Sequence, residues 1–314
     1  MNTNINNVYF ESISNIRDYA FYNCDKIEHI NSNDGYENEI YFNENVISIG
    51  SYAFANMDLI TKINVSKNIG TNNGVIGSYV FAQNINLRTI NIENQIIGAH
   101  MFDSSTSEFF TTVTIPESVK EIRSHAFANS ALRSFTLDNT LIGEYMFYNC
   151  NNLVDVTVPD RINTIGYAAF GGCASIKNMN LPFVGHTRSS NHKNSFEGLF
   201  GYIFGHKTEN DMLKITQTYK DAVNIIVNED IDSQIELEAP YNFYIPKNLA
   251  VKDGTSVTIT DDTVISESAF MGVTNVKSLI LPDKLVEIQD HAFENMSSLS
   301  KINIPANVTS VGSY

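Results

Sequence analysis

Apolar and polar residues alternate along this chain in two phrases that keep returning. The first phrase has six residues, opens on isoleucine and closes on phenylalanine. It reads IRDYAF to Phe21, IGSYAF to Phe54, IGSYVF to Phe81, IGAHMF to Phe102 and IRSHAF to Phe127. It continues as IGEYMF to Phe147, IGYAAF to Phe170, ISESAF to Phe270 and IQDHAF to Phe293. Successive phenylalanines lie 33, 27, 21, 25, 20 and 23 residues apart, then 100, then 23. The second phrase alternates β-branched and polar residues and often ends in proline, as in Leu153–Pro159, Ile176–Pro182, Val276–Pro282 and Leu299–Pro305. Period-two alternation predicts a half-buried strand, and the proline after it stops the ladder.

No unit of this length can bury its own apolar side, but stacked units cover one another. The pattern therefore predicts a β-rich repeat solenoid of about ten to eleven coils spaced about 4.8 Å apart, with one long insertion. Phe21, Phe54, Phe81, Phe102, Phe127, Phe147, Phe170, Phe270 and Phe293 are its expected structural anchors. A small residue precedes most of them (Ala20, Ala53, Ala126, Ala169, Ala269, Ala292) and leaves room for a tight bend. Gly50, Gly77, Gly98, Gly143 and Gly166 share one column, where they are expected to allow a turn that side chains resist. Arg17, Arg123, Ser266 and Gln289 share that column, so positive φ is not obligatory there. The repeats are read as 1–182 and 254–314, with an insertion of loop and irregular strands at 183–253. The last residues, VTSVGSY, are half of a phrase, and the array is expected to continue in a longer parent.

Together the two phrases, clearest in IGEYMFYNCNNLVDVTVPDRINTIGYAAF (Ile142–Phe170), resemble the BspA-like leucine-rich repeat family. The resemblance covers roughly residues 11–182 and 254–314. It implies a right-handed, curved arc, and many family members are bacterial or protozoan surface proteins implicated in adhesion. PFVGHTRSSN followed by LFGYIFG, within 182–205, is similar to an insertion of clostridia-type members. Residues 207–253 match no repeat well.

Composition narrows the function. With 20 basic against 35 acidic residues the formal charge is −15, which disfavours contact with nucleic-acid phosphates. Three cysteines in 314 residues exclude a disulfide-stapled miniature fold. No apolar run is long enough to span a membrane, and the N-terminus, MNTNINNVYF, has neither a basic start nor an apolar signal core.

Candidate chemistry is sparse. His100, His125 and His291 alternate with Tyr19, Tyr52, Tyr79 and Tyr145 in one column, which marks a packing and hydrogen-bonding position. His186, His192 and His206 sit in the insertion at spacings that fit no zinc signature. Cys24, Cys150 and Cys173 each follow an anchor by three residues, in a column shared with Met57, Ser130, Val273 and Met296, and read as free buried thiols. No G-x-S-x-G, P-loop, dinucleotide or HExxH motif occurs, and Gly201–Gly205 suits a packed turn. Asp261–Asp262 and Glu229–Asp230 are expected in solvated turns. No catalytic residue, metal or cofactor is expected, so the chain is read as a non-enzyme.

Two surfaces remain. If the alternating phrase lines the inner face of an arc, its polar positions form a concave recognition row. That row holds Lys62, Asn64, Thr89, Asn91, Thr112, Thr114, Ser134, Thr136, Asp155, Thr157, Asn178 and Asn180, nearly uncharged and almost free of aromatics. The insertion is the rival, through Phe183, His186, His192, Phe200, Tyr202 and Phe204, as a binding element or as a plug against the solenoid. The function expected is a non-catalytic binding module of a cell-surface or secreted adhesin-like protein with a protein or glycan partner. The alternative is an intracellular, cytoplasmic or purely structural interaction scaffold.

Overall fold

The repeated phrases become coils of a β-solenoid in the computed structural model, which describes residues 5–31, 38–192 and 194–313. There are about 13 parallel coils and, among the described residues, no α-helix. Contacts divide the chain into two units, Met1–Asn139 and Thr140–Tyr314.

In the first unit five short strands pair in parallel: Asn7–Val8, His29–Ile30, Glu39–Tyr41, Lys62–Val65 and Thr89–Ile92. The register sets Ile30, Ile40, Ile63 and Ile90 side by side. Thr112–Ile115 and Ser134–Leu137 form a separate parallel pair. In the second unit the ladder runs Asp155–Thr157, Asn178–Leu181, Val257–Ile259, Ser278–Ile280 and Lys301–Ile302. Every other residue points inward, so each ladder carries a buried apolar row and an outward polar one. Strands stop at a recurring turn in which the proline carbonyl accepts the N–H three residues on: Pro116 from Val119, Pro159 from Ile162, Pro282 from Leu285 and Pro305 from Val308.

The phenylalanines pile up behind the strands. Ring centroids of Phe21, Phe54, Phe81, Phe102 and Phe127 follow one another at 5.2, 5.7, 5.6 and 5.3 Å. Phe147 and Phe170 lie 5.7 Å apart and Phe270 and Phe293 6.1 Å apart. Phe54 through Phe170 and Phe270 are fully buried, while Phe21 and Phe293 are half-buried. Tyr19, Tyr52, Tyr79, His100 and His125 form a second stack, with centroids 5.1, 4.7, 4.1 and 4.5 Å apart.

The left-handed backbone lies elsewhere than at the glycine column. Gly50, Gly77, Gly98 and Gly166 do not adopt positive φ. They are glycine because the neighbouring coil passes too close. An added Cβ would meet Asp18 N at 2.3 Å from Gly50, Ser51 N at 2.2 Å from Gly77, and Glu144 N at 2.3 Å from Gly166. Positive φ instead falls two residues before and two residues after each anchor. Tyr52 (56°) and Asn56 (56°) flank Phe54, His125 (60°) and Asn129 (55°) flank Phe127, and His291 (59°) and Asn295 (59°) flank Phe293. Asparagine tolerates this region best among residues with a Cβ, which accounts for its recurrence after the anchors. Histidine is also enriched there, whereas tyrosine is not, and for Tyr19, Tyr52 and Tyr79 ring stacking offsets the cost.

The irregular gaps between phrases also have a structural reason. The 33-residue interval holds an extra strand, Glu39–Tyr41, inserted in the ladder between His29–Ile30 and Lys62–Val65. Its Phe42 ring, 1% exposed, packs edge-on to Phe54 at 5.3 Å. Across the 100-residue break the ladder is continuous, because Asn178–Leu181 pairs directly with Val257–Ile259. The turn column gains a coil there. The 3-10 turn Phe200–Ile203 lies between the Phe170 and Phe270 coils: Phe170 N–H donates to the Ile203 carbonyl (2.9 Å) and Phe200 N–H to that of Ala269 (2.8 Å).

Candidate functional site

All twelve residues of the polar row lie on ladder strands and are exposed or half-exposed. In the first unit Lys62 faces Thr89 and Asn64 faces Asn91, and Thr112 and Thr114 face Ser134 and Thr136. In the second unit Asp155 faces Asn178 and Thr157 faces Asn180. Hydrogen bonds tie part of the row together. Asn178 donates to the Asp155 carboxylate, Asn180 donates to Thr157 Oγ1 (3.2 Å), and Asn178 Oδ1 accepts from Ser256 N (3.0 Å). Lys62 and Asn64 both reach Glu39, the one acid that the extra strand brings beside them. The row thus presents short, largely uncharged hydrogen-bonding groups at regular rungs.

The insertion is sited differently. Phe183 and Phe200 are 0% exposed, Phe204 1% and Tyr202 8%. These rings pack the extra coil; Phe200 meets Phe270 at 5.0 Å and Phe204 at 5.4 Å. Gly201 has no room for a side chain, since an added Cβ would sit 2.2 Å from the Phe243 ring. Beyond this coil the chain leaves as a long antiparallel arm, Met212–Gln217 against Tyr241–Pro246 and then Ile225–Asp230 against Ser233–Leu237. Tyr241 and Phe243 of the inner pair are buried, whereas Val223, Ile226 and Ile231 of the outer part are 61, 67 and 47% exposed. Sequence reasoning passed over these three; the apolar–acidic alternation of IIVNEDIDSQIELE was the available signal.

Charged groups lock the insertion down. Arg188 bridges to Asp261, which also holds Lys284, and donates from Nη1 to the Ile162 carbonyl (3.2 Å). Asp262, 1% exposed, accepts from Ser189 N (3.1 Å) and Ser189 Oγ (3.0 Å). Its burial raises the carboxyl above its ordinary value despite those donors. Asp261–Asp262 is therefore a clamp, where sequence reasoning expected a solvated turn.

Each insertion histidine has its own partners. His186 Nδ1 pairs with the Ile165 carbonyl (2.8 Å), His192 Nε2 with that of Thr187 (2.8 Å), and His206 Nδ1 with Tyr167 Oη (3.1 Å). Burial holds His192 and His206 below the usual imidazole value. Cys24, Cys150 and Cys173 are free thiols. Cys173 donates to the Phe147 carbonyl (2.9 Å), and burial pushes its thiol well above the ordinary range, the opposite of what a nucleophile needs.

A model of the BspA type leucine-rich repeat region matches in six copies, over residues 1–94, 36–141, 74–198 and 250–314. The chain belongs to the BspA-type leucine-rich repeat family. Comparison with curated proteins gave no significant match. Among solved structures, the chain is similar to a leucine-rich repeat protein from Bacteroides ovatus (15% identity, 98% of this chain and 75% of that one, TM-score 0.49). It is also similar to one from Eubacterium ventriosum (16%, 98% and 81%, TM-score 0.42). A third is a leucine rich cell surface protein from Faecalibacterium prausnitzii (20%, 57% and 54%, TM-score 0.35). No described helix is long and apolar enough to cross a membrane.

Proposed function

We propose that this BspA-type repeat chain is a non-catalytic binding module of a cell-surface or secreted, adhesin-like protein. In this reading the repeats at 1–182 and 254–314 form a scaffold, 183–253 is an insertion within it, and a protein or glycan partner is taken on the strand face or the insertion. The observation that carries the reading is the polar row: Thr89, Asn91, Thr112, Thr114, Ser134 and Thr136 stand outward on three ladder strands, all exposed. Rigid strands hold these donors and acceptors at fixed spacing, which lowers the ordering cost of binding an extended partner. The surface placement rests on the family resemblance.

The test compares three full-length proteins on a glycan array and in pull-downs from host-cell surface extracts. They are the parent, a row variant (Thr89→Lys, Thr114→Lys, Thr136→Lys) and an arm variant (Ile226→Asp). Partners lost only by the row variant support the strand face, and partners lost only by the arm variant move the site to the insertion. If the parent captures nothing that both variants do not also capture, the reading fails.

A further inference from the structure

The outer hairpin, Ile225–Asp230 with Ser233–Leu237, pairs only with itself among the described residues, so each strand keeps an unpaired edge. Unpaired edges are usually blunted by charged side chains, lysine above all, by proline or by a cover. Here the stretch Asp221–Pro246 contains no lysine or arginine and six acids: Asp221, Glu229, Asp230, Asp232, Glu236 and Glu238. Of these, Glu229 is held by Lys207 (3.3 Å). The apolar side chains beside the edge, Val223 and Ile226, are exposed.

The edge of Ile225–Asn228 borders a cleft of about 220 Å³, which Glu144, Glu197 and Tyr202 also line. Glu144 already accepts from Asn228 Nδ2 (3.1 Å), which puts its carboxylate at the strand edge. Behind it Tyr167, Phe196 and Tyr202 pack edge-to-face or stacked, with centroids 5.3 to 6.1 Å apart. Among the described residues, the cleft lining holds no lysine or arginine.

We propose that this edge docks an extended, basic polypeptide segment of a protein partner by strand addition. Its backbone pairs with Ile225–Asn228, a lysine or arginine enters the cleft toward Glu144, and an apolar residue covers Ile226. Main-chain pairing supplies affinity, and the alternating side chains supply choice. The charge match speeds encounter and selects against acidic segments. The proposal deepens the binding-module reading and assigns it to the arm, with a basic peptide as the partner's chemistry.

The experiment uses the full chain and fluorescence anisotropy with short labelled peptides. The probes are an alternating lysine–valine peptide, its glutamate–valine counterpart, and the lysine–valine peptide with alternate backbone amides methylated. The lysine–valine peptide is expected to bind, weakening with added salt, while the other two fail. Glu144→Gln is expected to weaken binding by about tenfold, and so is Ile226→Asp. Each variant's unfolding transition is checked against the parent. Equal binding of the methylated peptide overturns strand addition, and unchanged binding in both variants overturns the site. The row variant separates this from the broader reading: it should bind the peptide normally even if the strand face proves inert.

Discussion

Replacing Phe81 by alanine tests the stacked-coil architecture where its consequence is largest. The ring is fully buried, lies between Phe54 at 5.7 Å and Phe102 at 5.6 Å, and meets Phe42 at 6.0 Å. Its removal takes away one whole buried aromatic side chain and contacts to two successive coils, so the cost is about 3–5 kcal/mol. Phe21 carries the same residue type in the same column but is half-buried, with Phe10 at 6.1 Å and Phe54 at 5.2 Å. Phe21→Ala should therefore cost about 1–2 kcal/mol, in keeping with a partly exposed ring. Urea unfolding followed by far-UV circular dichroism and tyrosine fluorescence measures both. The slope must be compared as well as the midpoint, because repeat arrays can lose cooperativity. Equal losses in the two variants, or less than about 1 kcal/mol for Phe81→Ala, would refute nearest-neighbour stacking as the source of stability.

The other expectations use the same assay. Gly166→Ala should destabilise by about 1–3 kcal/mol through overpacking, since its Cβ would sit 2.3 Å from Glu144 N; a neutral result rules out close coil approach there. Gln83→Gly should stabilise by about 0.5–1 kcal/mol, because Gln83 holds φ at 60°. His192 and His206 lie below their ordinary value through burial, so the unfolded chain takes up their protons more readily. Their contribution is whole above about pH 6.5 and is lost as pH falls through the folded values. The urea midpoint should drop as pH falls below about 6.5, and His192→Gln/His206→Gln should flatten that drop; an unflattened profile assigns it to other groups.

What the sequence made legible follows from which contacts repeat. Phenylalanine and the alternating strand phrase recur because equivalent side chains touch from coil to coil, so the solenoid could be read directly. The glycine column was visible but its cause was not: a clash between coils and a positive φ select the same residue. Glu39–Tyr41 and Phe200–Ile203 add rungs without carrying the phrase, so counting phrases could not reveal them. Aromatic density in the insertion left a binding element and a plug equally open, because the sequence does not record that Phe183, Phe200 and Phe204 are buried. Exposure at Val223 and Ile226 depends on what the arm packs against, which no local pattern records.

Continuity of the turn column depends on Phe196–Gly205 being a coil of the array rather than a loop hung from it. Hydrogen exchange read by mass spectrometry on peptides spanning Phe196–Gly205 and Ala168–Phe170 measures that directly. The hydrogen bonds from Ala168 to Tyr202, Phe170 to Ile203 and Phe200 to Ala269 call for protection matching that of the neighbouring Tyr145–Phe147 coil. Exchange of both segments as fast as an open loop, with Tyr145–Phe147 still protected, would contradict it.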